Sequence, residues 1–148
     1  SRRARAARPG SPQALYLQAV LAARAGRQAA AVLATYLSQN PDSLAALRLA
    51  GHWQVAARQW PAAIGTLERV RRRVGNRDAA LLADLAQAHA GASEGDAAEA
   101  RRWGAVAYRL APGNLAVVRA YAAALQVAGD AEGARQLAVK AAALAKGG

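Results

Sequence analysis

The chain reads as an all-α protein built from repeated helical hairpins, and three observations say so. Alanine, the best helix former, is by far its commonest residue, while Phe, Met and Cys are absent and aromatic residues are few. Apolar residues recur at the three-and-four spacing of one helix face, in short runs of about 15 residues. Glycine and proline turns punctuate these runs, so that self-similar units of about 32 to 36 residues follow one another.

The unit that the others copy runs from Leu44 to Arg77. Pro41 disfavours continuation of the preceding helix, and Ser43 is placed to cap the next one. Leu47, Ala50, Gly51 and Gln54 then share one face. After a break at Arg58 and Gln59, Pro61 falls in the first turn of a second helix, where proline is tolerated. Ala63, Leu67, Val70 and Val74 form its stripe, which ends near Gly75 and Asn76. Such a hairpin cannot bury its apolar face alone, so it must stack on its neighbours.

Counted from Leu44 as a 34-residue unit, Leu47, Ala50, Gly51, Ala63, Leu67 and Val70 fall where the tetratricopeptide repeat keeps its large and small packing residues. Pro41 falls at that family's inter-repeat proline. The chain therefore resembles the tetratricopeptide repeat family, departing from it at Gln54, where the family prefers an aromatic. The resemblance implies an α-solenoid of about four hairpins, eight helices in all, wound as a right-handed superhelix with the first helices on the concave face. The turn from Arg109 to Asn114 is similar to the closing repeats of long bacterial members, some of which accompany exopolysaccharide and exosortase systems.

On this register residues 1–10 are a basic extension, and residues 11–148 form one repeat domain with units at about 11–43, 44–77, 78–114 and 115–146. The first hairpin carries Leu15, Ala19 and Ala22 up to Gly26, then a helix from Ala31 to about Gln39. It is expected to be the least regular, because Gly26 to Pro41 is two residues short. In the third, Leu82, Leu85, Ala86 and His89 face the core, and the turn spans Gly91 to Asp96, with Asp96 as N-cap. Ala100, Trp103, Ala107 and Leu110 follow. In the fourth, Val118, Tyr121, Ala122 and Leu125 precede the turn at Ala128, Gly129 and Asp130, and then come Ala134, Ala138, Ala141 and Leu144. Lys140 and Lys146 are expected near that helix's C-terminal end, where cations favour the dipole. A chain opening on Ser1 rather than Met is expected to be a piece of a longer protein.

The net charge of +11 is local. Arg2, Arg3, Arg5 and Arg8 make one acid-free cluster, and Arg69, Arg71, Arg72, Arg73 and Arg77 make another; elsewhere bases and acids nearly balance. Without cysteine there is no disulfide framework and no thiolate chemistry. No apolar run is long enough to span a bilayer. Nothing in the composition chooses between the bacterial periplasm or envelope and the cytoplasm.

Signals for catalysis dissolve on inspection. Gly91, Ser93 and Gly95 match the spacing of a nucleophile elbow, but that motif needs a strand feeding the turn, and here helices flank it. His52 and His89 have no carboxylate or cysteine at ligand spacing, and a zinc site wants at least three protein ligands. His89 reads as a core histidine. Trp53, Trp60 and Trp103 read as packing between hairpins. No catalytic residue, cofactor or metal is expected.

The resemblance places Tyr16, Val20 and Arg24, then Arg48, His52 and Val55, then Ala83 and Gln87, then Arg119, Ala123 and Gln126 on the concave face. Tyr16, Arg24, Arg48, His52, Gln87, Arg119 and Gln126 are the candidate groove residues. Arginine holds a carboxylate through two parallel hydrogen bonds, so this set suits an extended peptide carrying acids. The family's lysine and asparagine carboxylate clamp is not matched. The run Arg69, Arg71, Arg72, Arg73 and Arg77 belongs to the outer surface, as a solvated helix end or as a docking patch for an anionic partner. The expectation is a non-enzymatic scaffold for a protein or peptide. The alternative is a binder of nucleic acid or acidic polysaccharide through the arginine clusters.

Overall fold

The computed structural model describes residues 27–92 and 96–147. These are all-helical, with no strand among the described residues. The helices are α1 (Arg27–Gln39), α2 (Leu44–Ala56), α3 (Trp60–Val74), α4 (Ala79–Gly91), α5 (Ala97–Leu110), α6 (Leu115–Val127) and α7 (Ala131–Gly147). The expectations for residues 1–26, Tyr16 and Arg24 included, and for residues 93–95 lie outside the described part.

Short connections fold α2 on α3, α4 on α5 and α6 on α7, and α1 packs on α2. The three first helices start alike. Ser43 Oγ accepts from the Ala46 N–H at 3.2 Å, Asp78 Oδ1 from Leu81 at 3.1 Å and Asn114 Oδ1 from Val117 at 3.1 Å. Each side-chain cap satisfies an amide that has no carbonyl partner within its helix. Pro61 sits in the first turn of α3, as its fixed φ and missing N–H allow.

Two hairpin turns share one geometry. Gly129, at φ +89°, donates to Gln126 O, and Asp130 donates to Leu125 O; Arg58, at φ +60°, and Gln59 make the same bonds to Val55 O and Gln54 O. The left-handed conformation that closes these helices is easy for glycine and strained for arginine.

The predicted stripes bury as a single core. Leu47, Ala63, Leu67 and Val70 join Leu81, Leu82, Leu85, Trp103 and Val117 across hairpin boundaries. A Cβ on Gly51 would stand 2.8 Å from Leu67 Cγ, and one on Gly104 would stand 3.2 Å from the Tyr121 backbone. Glycine is what lets α2 approach α3, and α5 approach α6. All three tryptophans sit between hairpins. Trp53 packs with Leu33 of α1, Trp60 covers Gly91 of α4, and Trp103 is buried with the Arg71 guanidinium of α3 stacked 4.7 Å from its ring.

Several expectations need correction. Val74 and Leu110 are each 45% exposed, because each closes a second helix at the point where the chain leaves it and no neighbouring helix reaches that far. Ala138 is exposed, on a side of α7 that no helix among the described residues covers. Asp96 occupies the N-cap position of α5 but makes no side-chain cap bond. Its carboxylate lies 3.5 Å from His89 Nδ1 instead. Gly91 belongs to α4 rather than to the turn. Lys140 is not at a helix end; its Nζ donates to Tyr108 Oη of α5 at 2.8 Å, and Tyr108 in turn pairs with the Tyr121 ring.

First helices of successive hairpins pack backbone to backbone, α2 on α4 and α4 on α6, whereas successive second helices meet through long side chains, Arg71 of α3 on Trp103 of α5 and Lys140 of α7 on Tyr108 of α5. The layer whose members approach more closely is the inner side of a curved stack. The first helices therefore line a trough.

Candidate partner-binding groove

The trough has an apolar end and a polar end. At the C-terminal ends of the first helices, Val55 of α2, Gln87 of α4, and Ala123 and Val127 of α6 line a cleft of about 390 Å³, closed at one side by Trp60 and Arg58. Val127 is 47% exposed, so an apolar surface is open to solvent there. Val55, Gln87 and Ala123 come from three different repeats, and the register inferred from the sequence brought them to one face.

At the polar end the structure adds a residue that the sequence reading passed over. Asp84 of α4 sits with only 12% of its side chain exposed, and both of its partners are on α2. Arg48 Nη1 donates to Asp84 Oδ2 at 2.8 Å, and His52 Nδ1 lies 3.0 Å from the same oxygen. Arg48 and His52 are four residues apart, one helical turn, so both reach across the same seam. Burial opposes ionisation of Asp84, but the bond from His52 and the nearby Arg48 charge outweigh it and hold the carboxyl below its ordinary range. The same hydrogen bond raises the pKa of His52 above its ordinary 6.5 against the effect of burial.

His52 has no carboxylate at ligand spacing in the sequence, yet the fold supplies one. A search at local ligand spacing could not find it, because Asp84 is 32 residues away and meets His52 only when two hairpins stack. One signal was available. Asp84 is the one Asp, Glu, Lys or Arg in a helix made mostly of Ala and Leu, with no cation three or four positions away on α4. His89 is buried as expected, with Asp96 as its acidic neighbour.

The other proposed groove residues are spread along the trough. Gln87 lines the apolar cleft, while the Arg119 and Gln126 side chains of α6 are exposed, with no hydrogen bond or ion pair among the described residues. Arg48 and His52 are both engaged by Asp84.

On the outer surface the five-arginine run is not uniform. Arg71 makes two hydrogen bonds to Glu68 Oε1, at 3.0 and 2.7 Å, and another to Asn76, and its guanidinium covers Trp103. Arg69 donates to Pro41 O at 3.0 Å and lies 3.6 Å from Asp42. Arg72, Arg73 and Arg77 are exposed and unpaired among the described residues. Arg69, Arg72 and Arg73 share one outward helix face by their spacing.

Among the described residues no cluster of three or more His, Asp or Glu is placed to hold a metal, and no helix is long and apolar enough to cross a membrane.

Stacked antiparallel hairpins with capped first helices along the inner face define a TPR-like helical array. Solved structures of MamA, a TPR-like helical protein, share this architecture. MamA from Desulfovibrio magneticus RS-1 is 19% identical, with a TM-score of 0.73 over 93% of this chain and 77% of that one. MamA of strain MSR-1 is 20% identical, with a TM-score of 0.70 over 92% of this chain and 78% of that one. MamA of strain AMB-1 is 22% identical, with a TM-score of 0.69 over 88% of this chain and 76% of that one. Likeness at these identities establishes the fold. No family model and no curated protein matches the chain.

Proposed function

We propose that the chain is a non-enzymatic scaffold whose trough holds an extended segment of a protein partner. The observation that carries this reading is the cleft crossing α2, α4 and α6, with exposed Val127 and Ala123 and half-buried Gln87 presented side by side. First helices packed about 9 Å apart make a trough of roughly 20 Å over three repeats, which is the length of about six residues of extended chain. Apolar contact near Val55 and Val127 supplies affinity, and exposed Arg119, Gln126 and His52 supply polar contacts along the same face. The helical-repeat fold shared with the MamA structures is compatible with a role in protein binding.

Peptides selected on the immobilised protein from a random library test the reading. Ala123→Glu and Val127→Glu, both at exposed positions, should weaken the selected peptides about tenfold or more while leaving the helical circular dichroism unchanged. Peptides that bind both variants with full affinity, or that protect amides of α3 and α5 instead, would remove the trough from the account.

The polyanion reading rests on a smaller surface than the sequence implied, since Arg71 and Arg69 are engaged. It keeps exposed Arg72, Arg73 and Arg77 at one helix end. Binding of a polyanion there should fall steeply between about 50 and 200 mM salt. Salt-independent binding would count against it.

A further inference from the structure

The trough contains one side chain whose orientation is fixed from below while its outer edge is open. His52 is 61% exposed, yet its Nδ1 lies 3.0 Å from Asp84 Oδ2, an oxygen that also accepts from Arg48. A carboxylate oxygen already accepting a hydrogen bond from a guanidinium accepts from its second partner as well. Nδ1 must therefore carry a proton whether the ring is neutral or charged. The second ring nitrogen, on the opposite side of the imidazole, is then the group left for a ligand. Its character depends on the ring's charge: Nε2 offers a lone pair on the neutral ring and an N–H on the charged one.

We propose that Asp84 locks His52 into a single tautomer, making its Nε2 a directed polar anchor of the trough, and that the segment held there carries acidic side chains. This rests on the trough being the peptide site. The charged groups facing His52 are Arg48, one turn earlier on α2, and Asp84 on α4; among the described residues no charged group of α1 or α3 acts on the ring. Asp84 is offset by Arg48, and α6, two repeats along the trough, adds exposed, unpaired Arg119. The face thus has positive character without an exposed acid on α2, α4 or α6 among the described residues. A neutral His52 accepts a backbone N–H from the partner. A protonated His52 donates to a partner carboxylate, and the hydrogen bond to Asp84 moves that change upward from the ordinary 6.5.

Two measurements test this separately. Long-range nitrogen NMR of the imidazole reports the tautomer without any ligand: above its titration His52 should be protonated on Nδ1, and Asp84→Asn should shift it toward the Nε2-protonated form. An Nε2-protonated ring in the wild-type chain would overturn the lock. For the partner class, the probe is a labelled, end-capped dodecapeptide of alternating glutamate and alanine, with glutamine replacing glutamate in the control. Lowering the pH from 8 to 5.5 should tighten the acidic peptide about fivefold, an amount ordinary for an exposed charge pair, and leave the control unchanged. His52→Gln should abolish the pH dependence while keeping binding to the acidic peptide. Equal pH dependence in His52→Gln, or no binding of the acidic peptide at either pH, would overturn the partner class. Failure of library-selected peptides to bind at all would instead defeat the scaffold reading and leave the tautomer result standing.

Discussion

Two glycines in one hairpin should answer the same substitution with opposite signs. Gly51 of α2 and Gly65 of α3 both lie in helix interiors, so alanine at either position removes backbone entropy from the unfolded chain and should gain about 1 kcal/mol. At Gly65 a new Cβ meets nothing within 4 Å, and the full gain should appear. At Gly51 it would stand 2.8 Å from Leu67 Cγ, and Leu67 is fully buried, so that side chain cannot swing into solvent. Forcing an extra methyl into a packed core costs about 1–3 kcal/mol. Subtracting the propensity gain leaves Gly51→Ala between neutral and about 2 kcal/mol destabilising. The pair should therefore be separated by about 1–3 kcal/mol, or on the order of 3–10 °C in melting temperature for a chain of this size. Thermal and urea unfolding of the two single variants provides the measurement. If Gly51→Ala is stabilised as much as Gly65→Ala, the α2–α3 crossing is not where the argument puts it, and the repeat register falls with it.

Three further outcomes follow from the same packing. Trp103→Ala should cost about 3–5 kcal/mol, because it empties a fully buried site and removes the surface on which Arg71 rests; urea unfolding checks it. Arg58→Gly should raise stability by about 1 kcal/mol, since it relieves a left-handed backbone at an exposed position whose twin in the last hairpin is already Gly129; a lower urea midpoint would contradict this. The Asp84 cluster should make stability depend on pH in two directions. His52 has a raised folded pKa, so its contribution is complete below 6.5 and is lost as pH rises through the folded value. Asp84 has a lowered one, so its contribution is complete above 3.8 and is lost as pH falls through the folded value. Wild-type unfolding free energy should thus decline from pH 5.5 to 8 relative to His52→Gln, and parallel curves for the two would refute the link.

Helix identity, hairpin count in the described region and the core register were legible because they are local and periodic. Ser43, Pro61 and Gly129 act on their own neighbouring backbone, and Leu47, Leu67 and Val70 declare a face by spacing alone. The misses lie where periodicity gives no information. Val74 and Leu110 continue their stripes perfectly, yet helix ends outrun the partners that would cover them. Asp96 has the right type and place for a cap, yet its carboxylate makes no cap bond and lies beside His89 of α4.

By itself the sequence determined the helices, the glycines at their crossings and the face each helix turns inward, because those follow from a few neighbouring residues and the 3.6-residue period. Only the tertiary structure decided which charges are free. Arg48 and Arg71 look identical in sequence to Arg119 and Arg72, but stacking supplies the first two with Asp84 and with Trp103. Electrostatic partnership depends on distances of a few ångströms between residues far apart in the chain, and those distances exist only once the hairpins have stacked.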